Sequence, residues 1–149
     1  MEETNEIFCV GIDLGTSRSS ISASNGERHV IDSYVGWPVD LVARKLIKKP
    51  VLIGREALDS RSMLDLRRPL ERGLIKEGSE KDERAVQEIL RHLMSLSGMK
   101  QKGKSRQKVR AVIGVPAEAF RVSKQRLRGA MDGIADSVKL VSEPFAVAY

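Results

Sequence analysis

Gly11-Ile12-Asp13-Leu14-Gly15-Thr16-Ser17 is the stretch from which this chain is read outward. Phe8, Val10, Ile12 and Leu14 alternate ahead of and within it, which predicts a strand with a buried face, and Gly-Thr-Ser then predicts a tight turn lined with donors. A carboxylate in such a strand needs a partner, hydrogen bonds or a cation. Gly15 lets backbone approach a ligand closely, and Thr16 and Ser17 add hydroxyls to the backbone N–H groups. The combination suits a triphosphate with its magnesium ion, because magnesium takes hard oxygen ligands, keeps several waters and needs only one carboxylate from the protein. The same residues also describe an Asp at a strand end that caps its own turn, and taken alone they leave both readings open.

Length and composition set the frame. The 149 residues suffice for one well-buried domain and are short for two, and the charged fraction of 31% beside 41% hydrophobic residues is that of an ordinary folded protein. A single cysteine, Cys9, excludes an intrachain disulfide and, lying in the apolar strand, is expected to be a small core residue. The start Met1-Glu2-Glu3-Thr4-Asn5-Glu6 is acidic and unlike a secretory signal, and no apolar run reaches the roughly 20 residues of a membrane helix, so a cytoplasmic protein is expected. The formal net charge of +6 is concentrated in Arg44, Lys45, Lys48 and Lys49 and in Lys100, Lys102, Lys104, Arg106, Lys108 and Arg110. The second group has no aromatic residues for base stacking and reads as a solvated loop, so nucleic acid is not an expected partner.

Along the chain, residues 19–24 and 29–35 predict two strands joined by Asn25-Gly26 as a two-residue hairpin turn. Gly36-Trp37-Pro38 breaks the pattern, and residues 40–47 predict a short helix with Asp40 near its N-cap, ended by Pro50. Residues 51–54 predict a brief strand and turn, residues 55–66 a helix with Ala57, Leu58 and Leu66 inward, and residues 68–75 an irregular return. Ser79 with Asp82 resembles a capping box ahead of a helix on which Ala85, Val86, Ile89, Leu90, Leu93 and Met94 share one face. Strands over 109–115 and 138–141 flank a helix over about 118–131 with Phe120, Leu127 and Met131 inward. Ser142-Glu143-Pro144 opens a last, all-apolar segment, Phe145 to Tyr149, of the kind that is buried between layers. The alternation predicts an α/β domain with a mixed sheet and a hairpin at its front.

Glu143 follows a predicted strand, as Asp13 ends one. If the two strands share a sheet, Asp13 handles magnesium while Glu143 orients a water against a γ-phosphate, since proteins catalyse phosphoryl transfer mainly by positioning. Glu143 is also placed to favour the positive end of its own helix, and spacing alone favours that reading.

The pair GIDLGTS, residues 11–17, and VSEPFAVAY, residues 141–149, resembles the first phosphate motif and first connecting motif of the actin-like ATPase superfamily, which also holds heat-shock chaperones and sugar kinases. Between them, VLIGREA (51–57), RPLERGLI (68–75) and AVIGVP (111–116) occur in the order and spacing of bacterial actins of the MreB type, and VGWP (35–38), ARKL (43–46) and DLRRPL (65–70) resemble their magnetosome-associated branch. The likeness covers the whole chain but only the first half of the family protein.

The resemblance implies a ribonuclease H-like actin ATPase domain, with residues 1–35 and 75–149 as the core subdomain and 36–74 as a small inserted one. It implies that Gly15, Thr16, Ser17 and Arg18 contact the phosphates of ATP, that Asp13 acts on Mg2+, and that Glu143 orients the water. Arg18 departs from the small polar residue common after this turn. The family implies ATP-coupled polymerisation into cytoskeletal filaments that organise magnetosomes, self-association or co-assembly with full-length subunits, and magnetosome-associated adaptor proteins as partners. Because the second wall of the cleft is absent from the likeness, the chain alone is expected to hydrolyse ATP poorly or not at all. The competing expectations are a non-catalytic module that docks on or caps such filaments, and a sugar or acid kinase of the same superfamily, disfavoured by the Arg-Pro-Leu segment and the short insert. His29 and His92 lack ligand-spaced partners and are read as surface residues.

Overall fold

A computed structural model describes residues 7–99 and 107–142. The stretch read first forms β1 (Ile7–Leu14), whose burial alternates without exception: Phe8, Val10, Ile12 and Leu14 are buried and the residues between them are exposed. It is flanked by β2 (Arg18–Ala23) and, beyond that, β3 (Arg28–Asp32), both antiparallel. On its other side lie β9 (Lys108–Val115) and then β10 (Ser137–Ser142), parallel to it, so the mixed five-stranded sheet has the order β10-β9-β1-β2-β3.

One face of this sheet carries the core. Val109, Ala111, Ile113 and Val115 of β9 continue the buried row of β1, and the long helix α3 (Glu80–Leu96) lays Ala85, Val86, Ile89, Leu90, Leu93 and Met94 in the same cluster. That helix face matches its sequence periodicity residue for residue. Ser79 stands at its N-cap position without a side-chain cap bond; Glu80, Asp82 and Glu83 in the first turn complement the helix dipole instead. Helix α4 (Arg121–Ala130) adds Leu127 and Ala130 and is tied to α3 by Arg126, whose Nε donates to Glu83 Oε1 at 2.7 Å. It is shorter than the sequence predicts, and Phe120 lies outside it and is exposed rather than inward.

Between the hairpin and α3, β4 (Val35–Pro38), α1 (Leu41–Ile47), β5 (Leu52–Ile53), α2 (Arg55–Asp59) and β6 (Leu64–Arg67) build a separate three-stranded sheet of order β5-β4-β6, followed by the hairpin β7 (Leu70–Glu71) and β8 (Leu74–Ile75). Asp40 caps α1 as expected, accepting from Ala43 N at 2.8 Å, but the helix ends at a left-handed Lys48 before Pro50 is reached. Two expectations fail here for one reason. The helix over 55–66 stops at Asp59 and a 3-10 turn leads into β6, while Gly36-Trp37-Pro38 is strand rather than break, because residues 64–67 and 35–38 pair with each other. Tertiary pairing outweighs local propensity, and Pro38 costs no ladder bond since β5 pairs only with Val35 and Gly36.

The front hairpin turns on three residues rather than two: Gly26 alone is left-handed, and Asn25 spends its side chain on Glu27 N and, across 2.8 Å, on Ser97 O at the end of α3. Cys9 is exposed, contrary to its expected place in the core, because the pleat turns it to the opposite face from Val10. Among the described residues no helix is long and apolar enough to cross a membrane.

Candidate functional site

The face of the five-stranded sheet opposite the core, open among the described residues, holds a broad pocket of about 660 Å³. Cys9, Gly11 and Asp13 of β1 line it together with Ser20 and Ser22 of β2, Val112 and Gly114 of β9, and Lys139 and Val141 of β10. Small side chains make its floor shallow and bring backbone near the surface.

Asp13 sits at the C-terminal end of β1, in register with Ser20 of β2. The parallel ladders place Ile12, Ile113 and Leu140 in one row, and thus Asp13, Gly114 and Val141 in the next. Ser142 ends β10 at the same end of the sheet, two strands or about 10 Å from β1. Glu143, the other expected catalytic residue, lies outside the described residues, as do the apolar segment to Tyr149 and the basic residues Lys100, Lys102, Lys104 and Arg106. Among the described residues the Asp13 side chain has no hydrogen-bond or ion-pair partner, and no group of three or more metal-ligating side chains occurs.

The turn after β1 is built tightly. A Cβ on Gly15 would lie 2.3 Å from Arg18 O, so only glycine fits there. Thr16 Oγ1 accepts from Arg72 N at 3.2 Å, which ties the turn to the β7–β8 hairpin. Ser17 is exposed, and Arg18 holds an ion pair with Asp32 at 3.8 Å on the neighbouring strand. On the inner side Ser33 Oγ donates to Gly15 O at 2.7 Å and meets Ser19 Oγ at 2.7 Å, both serines being buried. Ser19, Ser33 and Arg72 were not among the residues that the sequence marks for the site. The available signal was a serine at an inward-facing strand position, Ser19, in the same row as Ile21.

Among the described residues the Asp13 carboxylate has no side-chain partner, and with the exposed Ser17 beside it, it is the kind of hard oxygen donor that could hold magnesium, which takes its other ligands from phosphates and water. The open ends of parallel strands are also where α/β folds bind their ligands.

No protein-family model matches the chain. It is 38% identical over 145 residues to the actin-like protein MamK of Magnetospirillum gryphiswaldense, covering 97% of this chain and 39% of that one. The MamK double helical filament superposes with a TM-score of 0.86 at 35% identity, and a non-polymerising A278D mutant of MamK bound to AMPPNP with 0.82, each over 97% of this chain and 43% of theirs. The chain therefore spans about two-fifths of the length of the relatives it matches. By sequence and by fold, it is a relative of the MamK actin-like proteins and carries the α/β fold of the actin-like ATPases.

Proposed function

We propose that this chain forms one wall of an ATP site in a filament-forming, MamK-like ATPase. The observation that carries the reading is the carboxylate of Asp13, without a side-chain partner among the described residues, at the C-terminal end of β1, just ahead of the tight Gly15–Arg18 turn. The relative bound to AMPPNP supports it from outside the chain.

In this reading the turn residues Gly15, Thr16, Ser17 and Arg18 meet the phosphates, and Asp13 holds Mg2+ directly or through water. When bound, the ion neutralises charge that develops on the phosphoryl group. Glu143, next to Ser142 in sequence, orients the attacking water. Residues 1–35 and 75–149 act as the core subdomain and 36–74 as the insert. Filament assembly in the cytoplasm, linked to magnetosomes through adaptor proteins, is part of the same proposal and follows the MamK likeness.

Calorimetric titration with Mg-ATP and Mg-AMPPNP tests it. Binding should require magnesium and be lost in Asp13→Asn; binding by that variant equal to the parent chain overturns the reading.

A second reading, a docking module without turnover, is favoured by the exposed apolar residues Val39, Leu41, Val42 and Leu46 on and beside α1. Co-sedimentation with MamK filaments in the absence of ATP hydrolysis distinguishes it.

A further inference from the structure

We propose that Ser33, backed by Ser19, is the positioning residue that presets the phosphate turn; this rests on the reading that the turn takes nucleotide phosphates. Ser33 directly follows β3 and is fully buried, at 0% exposure, with Ser19 at 1%. It grips the turn twice. Its backbone N–H donates to Ser17 O at 2.9 Å and its hydroxyl to Gly15 O at 2.7 Å. A serine has one hydroxyl proton, and that of Ser33 is committed to Gly15, so in the 2.7 Å contact between the two hydroxyls Ser19 is the donor. The order is Ser19 to Ser33 to Gly15, and each buried hydroxyl is satisfied by it.

The consequence follows from peptide geometry. In a trans peptide the C=O and the next N–H point in opposite directions, and the described chain contains no cis bond. Holding Gly15 O toward Ser33 turns the N–H of Thr16 the other way, and holding Ser17 O does the same for Arg18. Two amides of the turn are thereby fixed facing away from Ser33, with their donors left to the other side of the turn, where backbone N–H groups can meet an anion. Gly15 is needed for the close approach of Arg18 O, yet glycine by itself leaves its peptide plane free to rotate. Ser33 supplies the restraint that Gly15 gives up.

The test is amide NMR of the labelled chain, titrated at millimolar concentrations with Mg-ATP and separately with inorganic tripolyphosphate, for the parent, Ser33→Ala, Ser33→Thr and Ser19→Ala, below each melting temperature. Shifts of the Thr16 and Arg18 amides in the parent are expected, with affinity roughly tenfold weaker in Ser33→Ala. Ser33→Thr should restore it, and Ser19→Ala, which leaves the Gly15 bond in place, should weaken it about threefold. Should Ser33→Ala fail to fold, Ser19→Ala against the parent decides. Lowered melting temperatures with unchanged affinity and unchanged Thr16 response in Ser33→Ala or Ser19→Ala overturn the inference and leave the nucleotide reading standing. A parent chain whose turn amides respond to neither probe overturns both.

Discussion

Arg72 and Thr16, 56 residues apart, meet through a hydrogen bond from the backbone N–H of the first to the hydroxyl of the second, at 3.2 Å. Arg72 makes that contact from a left-handed conformation, φ 52°, and with Gly73 at φ 77° it forms the two-residue turn between β7 and β8. A turn with both central residues left-handed prefers Asn-Gly, and a long side chain there costs about 1–2 kcal/mol. Arg72→Asn is therefore expected to raise stability by roughly 0.5–1 kcal/mol, measured by urea denaturation, while keeping the backbone donor to Thr16. A loss of stability would show that the guanidinium contributes more than the backbone strain costs.

The core allocation makes a paired prediction. Leu93 is fully buried in the face that α3 presents to the sheet, and Leu93→Ala should cost about 2–5 kcal/mol. Phe120, 77% exposed, should tolerate Ser within roughly 0.5 kcal/mol. Equal losses at both positions in chemical denaturation would contradict the placement of α4.

Gly36 is the point of closest approach in the small sheet, since a Cβ there would lie 2.7 Å from Leu64 Cδ1. Gly36→Ala should destabilise by about 1–3 kcal/mol, and Leu64→Val in the same chain should recover part of the loss. Additive losses in the double variant would mean that the two positions do not press on each other.

Acid sensitivity has two sources. Burial pushes the His92 imidazole below its ordinary 6.5, against the opposing pull of Glu56, with Lys49 adding to the shift. The hydrogen bond from Lys81 holds the Asp65 carboxyl below its ordinary 3.8, opposed by burial and helped by the Arg67 charge. Both native values are depressed, so in each window the unfolded chain binds more protons and stability falls on acidification. The His92 contribution is complete above 6.5 and is lost as pH drops through the lower folded value; the Asp65 contribution is complete above 3.8 and is lost further down. Melting temperature against pH should show a decline beginning below 6.5 that is flattened in His92→Gln. A profile identical in parent and variant would remove His92 from the account.

Turnover is the remaining prediction. Phosphate release by the purified chain with Mg-ATP should stay at the buffer rate, because closure of two walls is what excludes water and aligns the attacking one. Release at the rate of a complete MamK relative would show that one wall suffices.

The strands of the main sheet and the buried face of α3 were legible because their periodicity is strong: β1 alternates over eight residues and α3 repeats its apolar positions over 17. The stretch from Gly36 to Leu66 was legible only in part: α1 with its Asp40 cap and β5 were, the pairing of β4 with β6 was not. Its strands are two to four residues long, and what makes Leu64–Arg67 a strand is a partner some thirty positions earlier, which no local window contains. In the site, the glycine turn and Asp13 carried their own signal in residue type and order. Ser33 and Ser19 did not, because a hydroxyl is marked by what it touches, and Gly15 O comes within 2.7 Å of Ser33 only once β2 and β3 have paired.

The outward turn of Cys9 has a practical consequence. It is the only thiol in the sequence and stands exposed on the pocket floor, in the same strand as Asp13 and on the same side of it. A maleimide fluorophore can be attached there without altering any other residue, and its emission would report directly on whatever comes to lie over the open sheet.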